Sequence, residues 1–339
     1  MPRIADLSLS LPVLAAPMAG GATTPALVIA AAGAGSVGLL AAGYRGAAQL
    51  AEQIREVRSV TDVFGVNLFA PNPVQVDPAA YARYAIELAP AAARFGAALP
   101  PLPIEDDDGW ADKLEVLSSD PVPLVSFTFG LPPTEAVRAL HRVGTAVAQS
   151  VTSAAEARRA QDVGVDLLVV QGSGAGGHSA VFDPSAAVAP RSLPELVRQV
   201  RAATRLPVIA GGGVAGSADV AQVLRAGAAT VAVGTALLLA DEAGTSAVHR
   251  AALADGGRPT RLTRAFTGRP ARGLVNEFMT RFDDVAPPGY PAVHHLTAPL
   301  RRAAAAAGDP DWVHLWAGTG YRAAVPAPTA DILTGLTPG

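Results

Sequence analysis

The chain has 339 residues, half of them hydrophobic and 16% charged, with a formal net charge of −3. That is enough length for one large α/β barrel or two ordinary domains; it is too apolar for a disordered chain and lacks the basic excess of a nucleic-acid binder. Zero cysteines exclude disulfides, thiolate zinc sites, iron–sulfur clusters and cysteine nucleophiles, and with Lys113 as the sole lysine, P-loop and Schiff-base chemistry are all but excluded too.

The first ten residues carry an acid and too little apolar length for a signal peptide. The apolar stretch 26–42 is broken by Gly33, Gly35 and Gly38 and falls short of the roughly 18 residues of a membrane span. A cytoplasmic protein that meets no membrane is therefore expected.

Short, continuously apolar runs predict strands over 11–16, 36–40, 63–69, 122–128, 145–149, 166–171, 206–211 and 230–234. Continuous rather than alternating hydrophobicity is how parallel strands buried on both faces read. Helical patterns lie between them at 24–32, 47–60, 78–98, 132–143, 153–163, 193–204 and 217–226. Eight strands alternating with helices predict a (β/α)8 TIM barrel over residues 1–239. Residues 240–312, with Arg258, Arg261, Arg264, Arg269 and Arg272, read as a smaller helical domain over the barrel mouth. The arginines would bind a pyrophosphate or, as the preferred reading, form solvated helix faces. Residues 313–339 are expected to return to the barrel surface, the proline- and alanine-rich tail lying along it.

Barrel active sites lie at the C-terminal ends of the strands. Those ends carry Ala16, Pro17 and Met18, then Asn67, Gln149, Gln171 through His178, Gly211–Gly213, and Gly234 with Thr235. Neither the several metal-ligating side chains of a metallohydrolase nor the paired carboxylates of a glycosidase are present, so no metal is expected. Amides and bare backbone suit a bound cofactor that brings its own chemistry.

Three segments fit GxGxxG, starting at Gly33, Gly172 and Gly211. None has the strand, helix and distal acid of a dinucleotide fold. The loops after the seventh and eighth strands, Gly211–Gly213 and Gly234–Thr235, read better as a phosphate site, which FMN would fit. His178 is the one ionisable side chain of the 171–178 loop; as base or donor it would act near neutrality, or it only packs. The other five histidines, 141, 249, 294, 295 and 314, lack such a context, and the 294–295 pair reads as surface or lid.

Taken together, Gln171-Gly172 followed by Ala175-Gly176-Gly177-His178 resembles the QGxEAGGH motif of the nitronate monooxygenase (2-nitropropane dioxygenase-like) family. The likeness extends through Ala16-Pro17-Met18, Phe64-Gly65-Val66-Asn67, the 207–213 run, Val233-Gly234-Thr235 and the 266–273 segment, and so covers most of the chain in order. The resemblance implies FMN held by Met18, Asn67, Gln171, Gly176, Gly213, Val233, Gly234 and Thr235, with Ala16, Pro17 and Gln149 nearby, Gly177 and Gly212 completing the loops, and His178 beside the flavin. It implies oxidation of an alkyl nitronate with O2 to a carbonyl compound and an oxidised nitrogen species, without nucleic-acid or membrane partners, and leaves a homodimer open. Glycine at 174, where the family has glutamate, removes a carboxylate and predicts a looser loop. An FMN-dependent NAD(P)H reductase is the alternative activity, and a flavin-binding protein without activity the alternative class.

Overall fold

The computed structural model describes residues 3–4, 7–72 and 74–339, so the reading of the first ten residues falls partly outside the described residues. Arg3–Ile4 (β1) and Leu7–Ser8 (β2) pair antiparallel. There follow β3 (Val13–Ala15), α1 (Pro25–Gly33), β4 (Gly38–Ala41), α2 (Ala47–Arg58), β5 (Phe64–Ala70), α3 (Pro78–Arg94), α4 (Trp110–Ser119) and β6 (Leu124–Phe129). The second half of the barrel comprises α5 (Thr134–Arg142), β7 (Ala146–Val151), α6 (Ala154–Asp162), β8 (Leu167–Gln171), α7 (Leu193–Ala203), β10 (Val208–Gly211), α8 (Ser217–Arg225) and β11 (Thr230–Val233), with the short strand β9 (Gly177–His178) after β8. The eight long-loop strands close in the order β3-β4-β5-β6-β7-β8-β10-β11, all parallel, and β11 pairs back onto β3. Each expected barrel strand is present.

Alternation along the strands sorts the core into two layers. Val13, Leu40, Val66, Val208 and Ala210 pack with the helices. Their neighbours Leu14, Leu39, Leu124, Ala148, Leu167, Ile209 and Ala232 form a separate cluster that fills the barrel, with Leu9 beneath it. Below the strand ends both faces of the barrel strands are therefore buried, and that is the physical source of the unbroken apolar runs.

The lid differs from the expected helical domain. Alongside α9 (Ala247–Asp255), α10 (Glu277–Phe282) and α11 (Ala292–Ala306) it contains β12 (Thr260–Thr263) and β13 (Ala271–Leu274). These two strands continue onto β9 as a three-stranded antiparallel sheet, pairing Ala271 with His178. Phe266, Phe278, Phe282, Leu296, Leu300 and Trp312 form its core, joined by Tyr84 and Leu88 of α3. Arg264, Arg269 and Arg272 are not solvated helix faces, whereas Arg261 on β12 stays exposed beside Asp283. Arg269 is 0% exposed, its guanidinium 4.1 Å from the Phe129 ring centroid and bonded to the carbonyls of Ser179 and Val181. Arg264 donates to Pro184 and Arg272 to Ser173, so three arginines stitch the lid to the loop after β8.

The tail also departs from a surface strip. Thr329–Gly335 forms α12, which packs on α1 and β3 and places Ile332, Leu333 and Leu336 in the barrel's outer core. Apolar side chains at 332, 333 and 336 give the helix one face to bury, and Thr329 is fixed by Glu242 through its N–H and hydroxyl.

Candidate active site

A cavity of about 650 Å³ opens between the strand ends and the lid. Every expected site residue except Gln149 lines it: Ala16, Pro17 and Met18 from the loop after β3, Asn67 from β5, Gln171, Gly176, Gly177 and His178 from β8 and its loop, Gly212 and Gly213 after β10, Val233, Gly234 and Thr235 at β11. Gln149 is fully buried with its Nε2 on the Ser150 carbonyl. Ser150 lines the cavity in its place.

The glycine loops leave donors open. Among the described residues Gly213, Val214, Gly234 and Thr235 donate no backbone hydrogen bond, and all four line the cavity. Ala215 and Gly216, by contrast, give their N–H groups to the Asp219 carboxylate, so the first turn of α8 is already capped. The open donors therefore sit just before the helix, on loops whose residues line the cavity, and unpaired backbone N–H groups of this kind are what a phosphate takes up. Gly213 has φ +77°, and a Cβ there would lie 2.7 Å from Thr319 Oγ1. Thr235 Oγ1 accepts from the Gly318 N–H, which leaves its own hydrogen free to donate.

Asn67 gives its Nδ2 to Ser126 and Thr128, leaving Oδ1 with no protein donor among the described residues. The Met18 N–H is held by Thr23 Oγ1 at 2.8 Å, so Met18 offers the cavity its side chain, which lies against Gly234. Gln171 uses both ends of its amide on the loop: Nε2 donates to the His178 carbonyl at 3.0 Å and Oε1 accepts from the Ala180 N–H at 2.8 Å. It positions His178.

The loop is not loosened by Gly174. Thr319 donates its N–H to the Gly174 carbonyl at 2.9 Å, and a Cβ at 174 would come within 2.8 Å of Thr319 Oγ1 and 3.1 Å of Gly213 Cα. Backbone meets backbone where the family has a glutamate.

His178 Nε2 lies 2.9 Å from Thr267 Oγ1, whose hydroxyl donates in turn to the Arg269 carbonyl at 3.2 Å. That chain assigns the ring proton to Nε2 and leaves Nδ1 as an acceptor. Phe129, Tyr290 and Trp316 enclose the ring at centroid distances of 5.5, 5.7 and 5.6 Å. Burial lowers its pKa to about 3, with Arg269 and Arg301 adding to the effect. What accessible surface the ring keeps belongs to the cavity. Phe129, at the end of β6, has φ +84°, a conformation costing about 1–3 kcal/mol that the Arg269 stack helps to hold.

The histidines of the lid were not legible as site residues, yet His249, His294 and His314 all line the cavity, as do Arg301 and Arg302. No aspartate, glutamate or lysine is among the described residues that line it. His249 Nε2 and Thr245 Oγ1 are buried without partners. Among the described residues no cluster of three His, Cys, Asp or Glu side chains is placed to hold a metal ion, and no helix is long and apolar enough to cross a membrane.

Fold and site define a (β/α)8 barrel with a cavity at the strand ends that is lined by two arginines and, among the described residues, by no acid. The nitronate monooxygenase family model matches residues 2–339. The chain belongs to that family and is a flavin-dependent oxidoreductase acting on nitronates. It is 39% identical to a nitronate monooxygenase of Pseudomonas aeruginosa over 97% of this chain and 96% of that one, and 34% identical to a probable nitronate monooxygenase of Bacillus subtilis over 93% and 91%. Among solved structures it is similar to the nitroalkane oxidase of Streptomyces ansochromogenes, with TM-score 0.92 and 44% identity over 98% of this chain and 95% of that one. FabK from Thermotoga maritima is more distant, at TM-score 0.76 and 25% identity over 99% and 94%.

Proposed function

We propose that the protein binds FMN in this cavity and oxidises alkyl nitronates with O2, giving a carbonyl compound and an oxidised nitrogen species. The observation that carries the reading is the charge of the wall: Arg301 and Arg302 line the cavity with no acid beside them, and four neutral histidines add hydrogen-bonding nitrogens, so its preferred guest is an anion. A nitronate is the anion of a nitroalkane.

The open N–H groups of Gly213, Val214, Gly234 and Thr235, with the Thr235 hydroxyl, would hold the FMN phosphate. Asn67 Oδ1 would accept from an N–H of the flavin ring, with Ala16, Pro17, Met18 and Val233 packing nearby. When bound, FMN supplies the redox chemistry, taking electrons from the nitronate and returning them to O2. His178 presents Nδ1 as a hydrogen-bond acceptor and a base; its neutral state across the physiological range suits proton uptake better than a standing positive charge. The lid excludes water from the hollow through Trp316, Tyr290 and Phe129. A cytoplasmic location is part of this reading and rests on the sequence, whose only long apolar stretch is broken by glycines.

Acid release of the cofactor from purified protein tests the placement. The flavin should chromatograph as FMN, and Gly213→Asp should purify without it, since a carboxylate is forced onto the phosphate donors at a φ that resists any side chain. Release of FAD, or full flavin in Gly213→Asp, would mean the phosphate lies elsewhere.

A further inference from the structure

The lid wall carries two histidines that the chemistry of His178 leaves unused. His294, on α11, and His314 line the cavity, and both meet one guanidinium. Arg301 is 5% exposed, and its partners are Thr297, His294 and His314, none of them an acid. Its Nη1 donates to His314 Nδ1 at 3.0 Å, and its Nη2 reaches the His294 carbonyl at 2.9 Å and His294 Nδ1 at 3.4 Å. A guanidinium offers only donors. Each Nδ1 must therefore present a lone pair, which puts the proton of each neutral ring on Nε2. Neither Nε2 has a hydrogen-bond partner among the described residues, and neither is a buried orphan.

Packing fixes the ring orientations. His294 stacks on Tyr44 at 4.4 Å and an interplanar angle of 2°, and His314 lies 5.4 Å from Trp316. Trp316 also touches His178, and Tyr290 lies between His178 and His294 at 5.7 and 6.2 Å, so the three imidazoles share one region of the cavity. Their roles are complementary: His178 keeps an acceptor nitrogen open, and the other two keep a donor.

We propose that His294 and His314 form an oxyanion clamp whose Nε2–H groups hold the two oxygens of a nitronate or nitro group, with Arg301 as the positioning residue that sets both tautomers. The clamp rests on the nitronate reading of the site. Hydrogen bonds from fixed donors to an ionised acceptor are stronger than neutral ones and need no reorganisation, and Arg301 adds its charge without occupying the substrate's place.

Nitrate, a planar oxyanion that gives no electrons to flavin, probes the clamp apart from turnover. Calorimetry with the flavin-loaded protein should show nitrate binding, and Arg301→Lys, which keeps charge but loses the planar fork, should weaken it about tenfold and raise the KM for a nitronate similarly. Two His314 variants separate clamp from scaffold. His314→Gln puts an amide N–H near the Nε2 position and should stay within about threefold of the parent; His314→Asn reaches only the Nδ1 position and should fall about tenfold. A purely structural role, accepting from Arg301, reverses that order, because asparagine then keeps the contact. The reversed order, equal binding by Arg301→Lys and parent, or no nitrate binding by the parent would each overturn the clamp. If Arg301→Lys does not fold, the His314 pair still decides. Nitrate binding with the predicted order in a protein that does not oxidise nitronates would sustain the clamp and reject the substrate reading.

Discussion

His178 is held by three elements at once: β13 pairs with its backbone, Gln171 takes its carbonyl, and Thr267 takes its Nε2. Such a ring cannot swing away, so replacing it should cost chemistry rather than cofactor. His178→Ala is expected to retain FMN and lower turnover by about 100-fold, within the usual range for a positioned base; stopped-flow measurement of nitronate oxidation at saturating substrate checks it, and parent-like turnover would remove the role. The position of His178 was legible in the sequence because its loop is glycine-rich and follows a strand. His294 and His314 were not, because their significance lies in a shared arginine 7 and 13 residues away along the chain, visible only once α11 is folded. The effect of Gly174 was misread for a related reason: glycine suggests slack, whereas Thr319, from a distant segment, fills the space.

At the scale of elements, the barrel strands could be read because burial on both faces writes a continuous apolar run. The lid strands β12 and β13 are four residues each, with polar and charged side chains among them, and carry no comparable signal. Their arginines looked like solvated charge or a pyrophosphate site. Instead Arg264, Arg269 and Arg272 bind backbone carbonyls, so these three are not free to hold a pyrophosphate. The spacing of Ile332, Leu333 and Leu336 was available as a clue to α12, masked by the prolines before it. Leu333 is 0% exposed in the barrel core. Leu333→Ala should therefore destabilise the protein by about 2–5 kcal/mol in denaturant unfolding; a change under about 0.5 kcal/mol would return the tail to the surface.

Across the whole molecule, one pH effect follows from the acid-free cavity. Burial holds His178 at about 3 and His249 at about 4, and His294 and His314 well below their ordinary value. In the unfolded chain all four would take up protons as pH falls through about 6.5, while the native fold leaves them neutral. The unfolded state then binds more protons, so stability is full above about 7 and declines as pH falls from there toward the native values, about 3 for His178 and about 4 for His249. The melting temperature should fall between pH 7.5 and pH 5, and below about pH 6 His249→Gln should reduce the pH slope of the unfolding free energy by about one proton's share, about 1.4 kcal/mol per pH unit. An unchanged melting temperature over that range would mean the four rings are not buried neutral.

The most direct test of the central claim is anaerobic. The flavin-loaded protein is mixed with an alkyl nitronate in one cuvette and with NADH in another, and the visible flavin band is followed. Loss of the band with nitronate alone, and its return on admitting O2, is the predicted result. Loss with NADH alone, the nitronate leaving the band untouched, would contradict the account and make the cavity that of a reductase.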